Sequence, residues 1–565
     1  MAVQASLLMS QHTSDGRTKD VLYLFVMGIV WLLMAALVQP LGNFPLNDDW
    51  VYALAVKSVV ETGYFQFPSP SMANVGPQVY WGALFSLPFG FSFTALRIST
   101  LVLGFIGVVA LYGLLRQFKV DAKTSLFGAS TLAVNPLYFG LANTFMTDVP
   151  FITLVLVALY FLVRGLQQDS TLHITLGLIV IYLAILIRQF SLVVLIGFAL
   201  AYPIKKGFTL ANIAKVAGLI ILGVLLHVGY QYWLASSGRL AVFDKHTIPV
   251  LNPPTITNST KKATVSLIYV GFFVLPFIAA IWSPKIHRMT GKSKYVWAAI
   301  WAYVVLLLGF LWFDDHRLPL LDNILMNSGI GPLTIRDVFN LKLNVPTIPD
   351  SALFVWNVVT FFSVLAAGIS LYLISLATYQ AWLKYSSTQT RAEAAPYALL
   401  VAMSFIYLAI LLVVVGRFTL FDRYLLIFLP LVVLLIAAAK YTQTDVQKSR
   451  SVVPIVVLVL YAAFSVGATH DYLDWNRTRW VALHDLVNVN NISPQKIDGG
   501  YEFNGWFLYD KNYKQSRTKS WWWVVDDEYV LAAGPLPGYT EVKRYPVNRW
   551  LNLTASDIIV LRRMP

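Results

Sequence analysis

Long apolar runs separated by short polar ones set the pattern of this chain. Val21–Val38 is almost wholly Val, Leu, Ile, Met, Ala, Phe and Trp, and it is about long enough to cross a bilayer once. The same reading along the chain predicts about thirteen spans. They fall at Val21–Val38, Ala95–Leu115, Leu126–Asn143, Phe151–Val163, Leu172–Ile187, Ser191–Ile204, Val216–Leu234, Val265–Trp282, Tyr295–Phe313, Ala352–Tyr379, Ala395–Val415, Tyr424–Ala439 and Val452–Ala468. The polar start, Ser10 to Asp20, precedes a run long enough to stay as an anchor, so no cleaved leader is expected.

Two regions break the pattern. The stretch from about Leu41 to Thr94 is too long for a simple turn. Inside it, Ala53–Val60 has helical periodicity suited to the interface. Val79–Phe85 is a second such segment, with Tyr80 and Trp81 fit for an interfacial belt. From His470 onward the chain turns polar, aromatic and strand-like, with turn signals at Asp498-Gly499-Gly500 and Gly534-Pro535-Leu536-Pro537-Gly538. The expected architecture is a polytopic α-helical membrane domain over residues 1–469, with a small extracytoplasmic α/β domain over 470–565. The Trp521-Trp522-Trp523 run reads as a strand with half-buried rings, or alternatively as a carbohydrate platform.

Composition agrees with a membrane protein: 57% of the 565 residues are hydrophobic and only 12% are charged. The absence of Cys excludes disulfides, thiol catalysis and thiolate metal sites. A net charge of +14 in a soluble chain would suggest nucleic acid. Here the surplus follows alternate loops, at Arg116/Lys119/Lys123, Arg164, Lys205/Lys206, Lys285/Arg288/Lys292/Lys294, Lys384/Arg391 and Lys440/Lys448/Arg450. With the N-terminal stretch these loops hold about eighteen Lys and Arg against about six Asp and Glu, which predicts a cytoplasmic side and excludes a nucleic-acid partner. An odd number of spans then puts the C-terminal domain on the opposite side.

Ionisable residues gather on that opposite side. Asp48 and Asp49 follow the first span, and Tyr52 follows them. Adjacent carboxylates are expected to raise each other's pKa. Asp148 opens a span before Val149-Pro150, Arg188-Gln189 lies in the next outward turn, and Arg417, Asp422, Arg423 and Tyr424 lie in a later one. Each has an ordinary explanation: Asp148 as a helix cap, Arg188 as a snorkelling anchor, Asp422–Arg423 as a surface pair of little energetic value, Asp48–Asp49 as a solvated loop. Together, carboxylates from two loops and cations from two more on one face read as an acid/base pair facing a phosphate-binding set.

The order of these motifs resembles the GT-C glycosyltransferases, above all the branch containing lipid A aminoarabinose transferases and protein O-mannosyltransferases. Asp48-Asp49-x-x-Tyr52 resembles that branch's Asp-Glu-x-x-Tyr. Glu61-Thr62-Gly63-Tyr64, Tyr80-Trp81, Ala95-Leu96-Arg97, Thr147-Asp148-x-Pro150 and Arg423-Tyr424-Leu425-Leu426 through Pro430 follow in the same order. One departure stands out: where relatives carry Lys-Pro-Pro, this chain reads Val75-Gly76-Pro77-Gln78-Val79.

The resemblance implies an inverting hexosyl- or pentosyltransferase in the bacterial cytoplasmic membrane. It implies a polyprenyl-phosphate-linked sugar as donor and a lipid, glycan or protein as acceptor, with membrane lipids around the chain. Asp48 and Asp49 are the expected catalytic residues, Asp48 as base. Tyr52, Asp148, Arg188, Gln189, Arg423 and Tyr424 are expected to bind substrate. No metal ligand is assigned, although Mg²⁺ or Mn²⁺ held by Asp48, Asp49 and Asp148 is left open. The alternative class is a transporter or flippase, for which inverted repeats and mid-depth charges are expected.

Overall fold

In lipid, a helix satisfies every backbone N–H and C=O within its own segment, and the apolar runs of this chain take that form. The computed structural model describes residues 2–67, 73–239, 253–281, 293–313, 316–413, 420–438, 452–510, 512–514, 519, 522–551 and 557–565. Its helices in chain order are α1 (Ala2–Val38), α2 (Asp49–Thr62), α3 (Gly76–Ser86), α4 (Phe93–Gln117), α5 (Ala122–Ala133), α6 (Pro136–Ala142), α7 (Asp148–Gln168), α8 (Thr171–Ile185), α9 (Leu192–Lys206) and α10 (Leu210–Ser236). They continue with α11 (Pro253–Ile281), α12 (Ser293–Phe313), α13 (Asp350–Ser386), α14 (Ala395–Val413), α15 (Phe428–Ala438), α16 (Val453–His484) and α17 (Tyr501–Leu508).

Among the described residues, ten helices are long and apolar enough to cross a membrane, and the chain is a polytopic α-helical membrane protein. The remaining expected spans fall on the shorter α8, on α15, and on α5 with α6. The last pair is broken where Pro136 restarts the helix and Asn135 Oδ1 accepts from the N–H groups of Leu137 and Tyr138, both at 3.1 Å. Leu32, Leu225 and Leu306 stay exposed on the outer faces of α1, α10 and α12, as lipid-facing positions do. Inside the bundle, α11 and α13 approach so closely that a Cβ on Gly271 would run into the carbonyl of Ser363.

The two interfacial segments are helical, as α2 and α3. The first half of α2 is not spread at an interface, however. Asp49 through Ala53 are buried, because α17 closes over them, with Gly505 against the Trp50 ring.

The C-terminal domain holds a four-stranded sheet in the order β3 (Ile497–Asp498), β4 (Tyr529–Ala532), β6 (Ile558–Arg563), β5 (Tyr539–Tyr545). Only β3–β4 is parallel. Position 470 lies in the middle of α16, so composition changes there while the backbone runs on unbroken. The domain core, with Trp475, Leu483, Ile497, Phe503, Leu531, Ile558 and Val560, also takes in Ile335 and Val338 from the segment between α12 and α13. That segment carries a short hairpin, β1 (Leu325–Met326) and β2 (Gly329–Ile330). Trp522 and Trp523 are half-buried, as expected, but belong to no strand. Arg417, Trp521 and the basic residues Lys285, Arg288, Lys292, Lys440, Lys448 and Arg450 lie outside the described residues.

Candidate functional site

The loop after α1 is shaped from below by Arg97, which is fully buried near the start of α4. Its guanidinium donates to the carbonyls of Gly42 (2.8 Å), Pro40 (3.2 Å) and Phe44. Asn47 then adopts φ +54°, a left-handed conformation that Asn tolerates better than most residues. α2 follows at once, and the two carboxylates part company.

Asp49 turns inward. It is fully buried, and its oxygens accept from the N–H of Leu46 (2.6 Å) and of Phe145 (3.3 Å). Burial pushes its pKa up to about 8, against the opposing pull of Arg97 and those two hydrogen bonds. Burial, and not the expected mutual perturbation with Asp48, is therefore the main cause. Asp49 fastens the first loop to the loop before α7.

Asp48 turns the other way. Its side chain is 29% exposed and meets Arg423 Nη2 at 3.1 Å through Oδ2. Its Oδ1 accepts from the Tyr501 hydroxyl at 2.9 Å. Arg423 is held by the preceding residue. Asp422, fully buried, accepts from the N–H groups of Ile324 (3.0 Å), Leu325 (2.7 Å) and Arg423 (2.6 Å). Burial raises the Asp422 pKa to about 6, with the three N–H groups opposing. The surface-pair explanation fails here: Asp422 pins the β1 hairpin beneath the site.

The second pair joins α7 to the turn before α9. Arg188 Nη1 lies 3.0 Å from Asp148 Oδ1, and Arg188 Nε donates to Thr147 Oγ1 at 2.7 Å. Asp148 is 1% exposed, and among the described residues neither of its oxygens has a partner in hydrogen-bond alignment. It is paired by charge and distance, and it caps no helix. Arg188 is buried too, which sets aside the snorkelling anchor.

Tyr424 lies between the cations, its ring 5.7 Å from the Arg188 guanidinium and 5.8 Å from that of Arg423. Tyr52, buried on α2, feels all four charges. Burial pushes its phenol pKa up, Asp48 and Asp148 add to the rise, and Arg188 and Arg423 oppose it. Gln189 is half-buried and takes part in none of these contacts.

The structure thus gathers Asp48, Tyr52, Asp148, Arg188, Arg423 and Tyr424 at one end of the bundle. Gln78, standing in the place of the relatives' Lys-Pro-Pro stretch, is buried and donates to the Phe145 carbonyl at 2.8 Å. It ties α3 to the same loop that Asp49 holds.

Asp48, Asp49 and Asp148 do not converge as a donor set for Mg²⁺ or Mn²⁺. One is committed to Arg423, one to backbone N–H groups and one to Arg188. Among the described residues no cluster of His, Asp and Glu could hold a metal ion. The three carboxylates do not fit the metal left open above.

Sequence reasoning missed Tyr501 and Glu502, which reach the first loop from more than 450 positions away. No local pattern marks them, beyond the Gly499-Gly500 turn that starts their helix.

One family model matches the chain: dolichyl-phosphate-mannose-protein mannosyltransferase, over residues 75–233. No curated protein sequence matches. Among solved structures, an Archaeoglobus fulgidus oligosaccharyltransferase, in complex with Zn and sulfate, is 14% identical, with a TM-score of 0.45, 88% of this chain covered and 60% of that one. ArnT from Cupriavidus metallidurans, bound to undecaprenyl phosphate, is 13% identical, with a TM-score of 0.38 and coverage of 96% and 97%. The S. cerevisiae protein O-mannosyltransferase Pmt1-Pmt2 complex, bound to the sugar donor, is 17% identical, with a TM-score of 0.31; the match covers 40% of this chain and 35% of that one. This chain thus spans about a third of the yeast relative's length. Over residues 75–233, a stretch that includes Tyr80-Trp81, Arg97, Asp148 and Arg188, the chain matches that mannosyltransferase model, which bears out its resemblance to the GT-C glycosyltransferases.

Proposed function

We propose that the protein is a membrane glycosyltransferase that moves a sugar from a polyprenyl-phosphate-linked donor to a hydroxyl of a lipid, glycan or protein acceptor. The observation that carries this reading is the state of Arg423. One edge of its buried guanidinium holds Asp48, while among the described residues Nε and Nη1 have no hydrogen-bond partner. A buried cation with unused donors beside a carboxylate is suited to an oxyanion, and a lipid phosphate presents one.

In the reaction the acceptor oxygen attacks the anomeric carbon as the bond from that carbon to the phosphate oxygen breaks. Asp48 takes the acceptor proton, being the carboxylate with an exposed edge. The leaving polyprenyl phosphate keeps the bonding electron pair, and its growing charge falls to Arg423. Arg188 adds positive potential across Tyr424. Attack from the face opposite the phosphate inverts the anomeric centre. No step needs a metal.

The loop charges favour an outward position for this end of the bundle, with the C-terminal domain, and the resemblance favours a bacterial cytoplasmic membrane. A transporter would hold its charges at mid-depth. Here Asp148 opens α7, and Arg188 and Arg423 precede α9 and α15. Mass spectrometry of envelope lipids, polysaccharides and proteins, with and without the active protein, tests the reading. A sugar missing from one acceptor class is expected, and an unchanged envelope glycome with intact expression contradicts it.

A further inference from the structure

The first external loop does not hold its shape alone. Glu502, at the start of α17, is fully buried, as is Arg479 on α16. Glu502 Oε2 meets Arg479 Nη2 at 2.8 Å and accepts from Thr334 Oγ1 at 2.6 Å. Its other oxygen accepts from the N–H of Asn47 at 2.9 Å, the residue in the left-handed turn just before Asp48. The neighbouring Tyr501 donates to Asp48 Oδ1 at 2.9 Å. Its ring lies 6.0 Å from Trp50 and 5.4 Å from Trp522, so the phenol is fixed by packing as well.

We propose that the C-terminal domain sets the catalytic loop, with Tyr501 a positioning residue for Asp48 and Glu502 a positioning residue for the backbone that carries it. This rests on Asp48 as the base. The two oxygens of Asp48 are held by different donors, Tyr501 on one and Arg423 on the other. A donor phosphate draws on the same Arg423. As it does, the Tyr501 hydroxyl remains to keep the carboxylate aimed at the acceptor. A neutral donor suits the task because it orients the carboxylate without placing a second positive charge beside it. The domain is thereby part of the active site and not an appendage.

The test uses the full-length protein, a labelled polyprenyl-phosphate sugar and the acceptor identified from the envelope. Tyr501→Phe keeps the ring contacts and removes only the hydroxyl. Its kcat is expected to fall about tenfold, the loss of one oriented hydrogen bond at the reacting group, with donor KM and melting temperature unchanged. In an Asp48→Asn background the same change is expected to add nothing, since groups acting as a unit are not additive. Tyr509→Phe, whose ring also lies 6.0 Å from that of Trp50, should turn over normally. Native kcat in Tyr501→Phe, an equal loss on top of Asp48→Asn, or a loss that comes with a lowered melting temperature overturns the positioning role. Full turnover by Asp48→Asn overturns instead the base on which it rests.

Discussion

The two carboxylate–arginine pairs at one end of the bundle have the same chemistry and opposite settings. Asp48 is 29% exposed, with each oxygen held by a separate donor. Asp148 is 1% exposed and faces Arg188 without an aligned hydrogen bond among the described residues. The first pair is accessible and oriented, as a group that exchanges a proton must be. The second is buried, a setting suited to holding Arg188 in place. An ion pair's role thus follows from its solvent access and its remaining hydrogen-bond capacity, not from its residue types.

If that contrast is right, the largest effect belongs to the exposed carboxylate. Asp48→Asn should lower kcat by roughly two orders of magnitude or more, while binding of labelled donor survives. Next comes its partner: Arg423→Ala should raise donor KM about fiftyfold, in the range for a charge-assisted hydrogen bond. Arg423→Lys should recover part of that, keeping charge but losing the fork. Asp148→Asn should act mainly on stability, lowering it by about 3 kcal/mol as Arg188 is left as a buried, unpaired charge. A double change to Asp148→Leu with Arg188→Met should restore most of the melting temperature yet not the donor affinity. If Asp148→Asn instead abolishes kcat at native stability, the division between the pairs is wrong.

The smallest effect concerns the adjacent Asp49. Its folded pKa stands near 8 against an ordinary 3.8. Between those values the folded state binds more protons than the unfolded one, so this group's contribution to stability falls as pH rises from about 4 to about 8. Asp49→Asn should be less stable, through a lost backbone hydrogen bond, and its melting temperature should change less with pH over that window. An equal slope in both proteins would contradict the assignment.

The sequence carried the membrane architecture well, since lipid leaves apolar runs few alternatives to helix. It also singled out most of the residues that gather at one end of the bundle. Asp48, Tyr52, Asp148, Arg188, Arg423 and Tyr424 were legible because charge is rare in such a chain and each sat at a span end. The burial of Asp49 was not legible, because adjacency along the chain says nothing about side-chain direction once a helix starts at that residue. Gln189 shared a turn with Arg188 but not its contacts. Tyr501 and Glu502 were invisible because their partners, Asp48 and Asn47, lie in the first loop, and no periodicity encodes a contact across that separation. The unbroken course of α16 through residue 470 was hidden for the opposite reason: the composition changes where the backbone does not.

The most direct test is transfer of labelled sugar from a polyprenyl-phosphate donor to the native acceptor, measured side by side for the purified protein and its Asp48→Asn variant, with and without chelator. The account predicts transfer by the native protein that chelation leaves intact, and a loss of roughly two or more orders of magnitude in the variant with donor still bound. Comparable turnover by the two proteins, or activity abolished by the chelator, would contradict it.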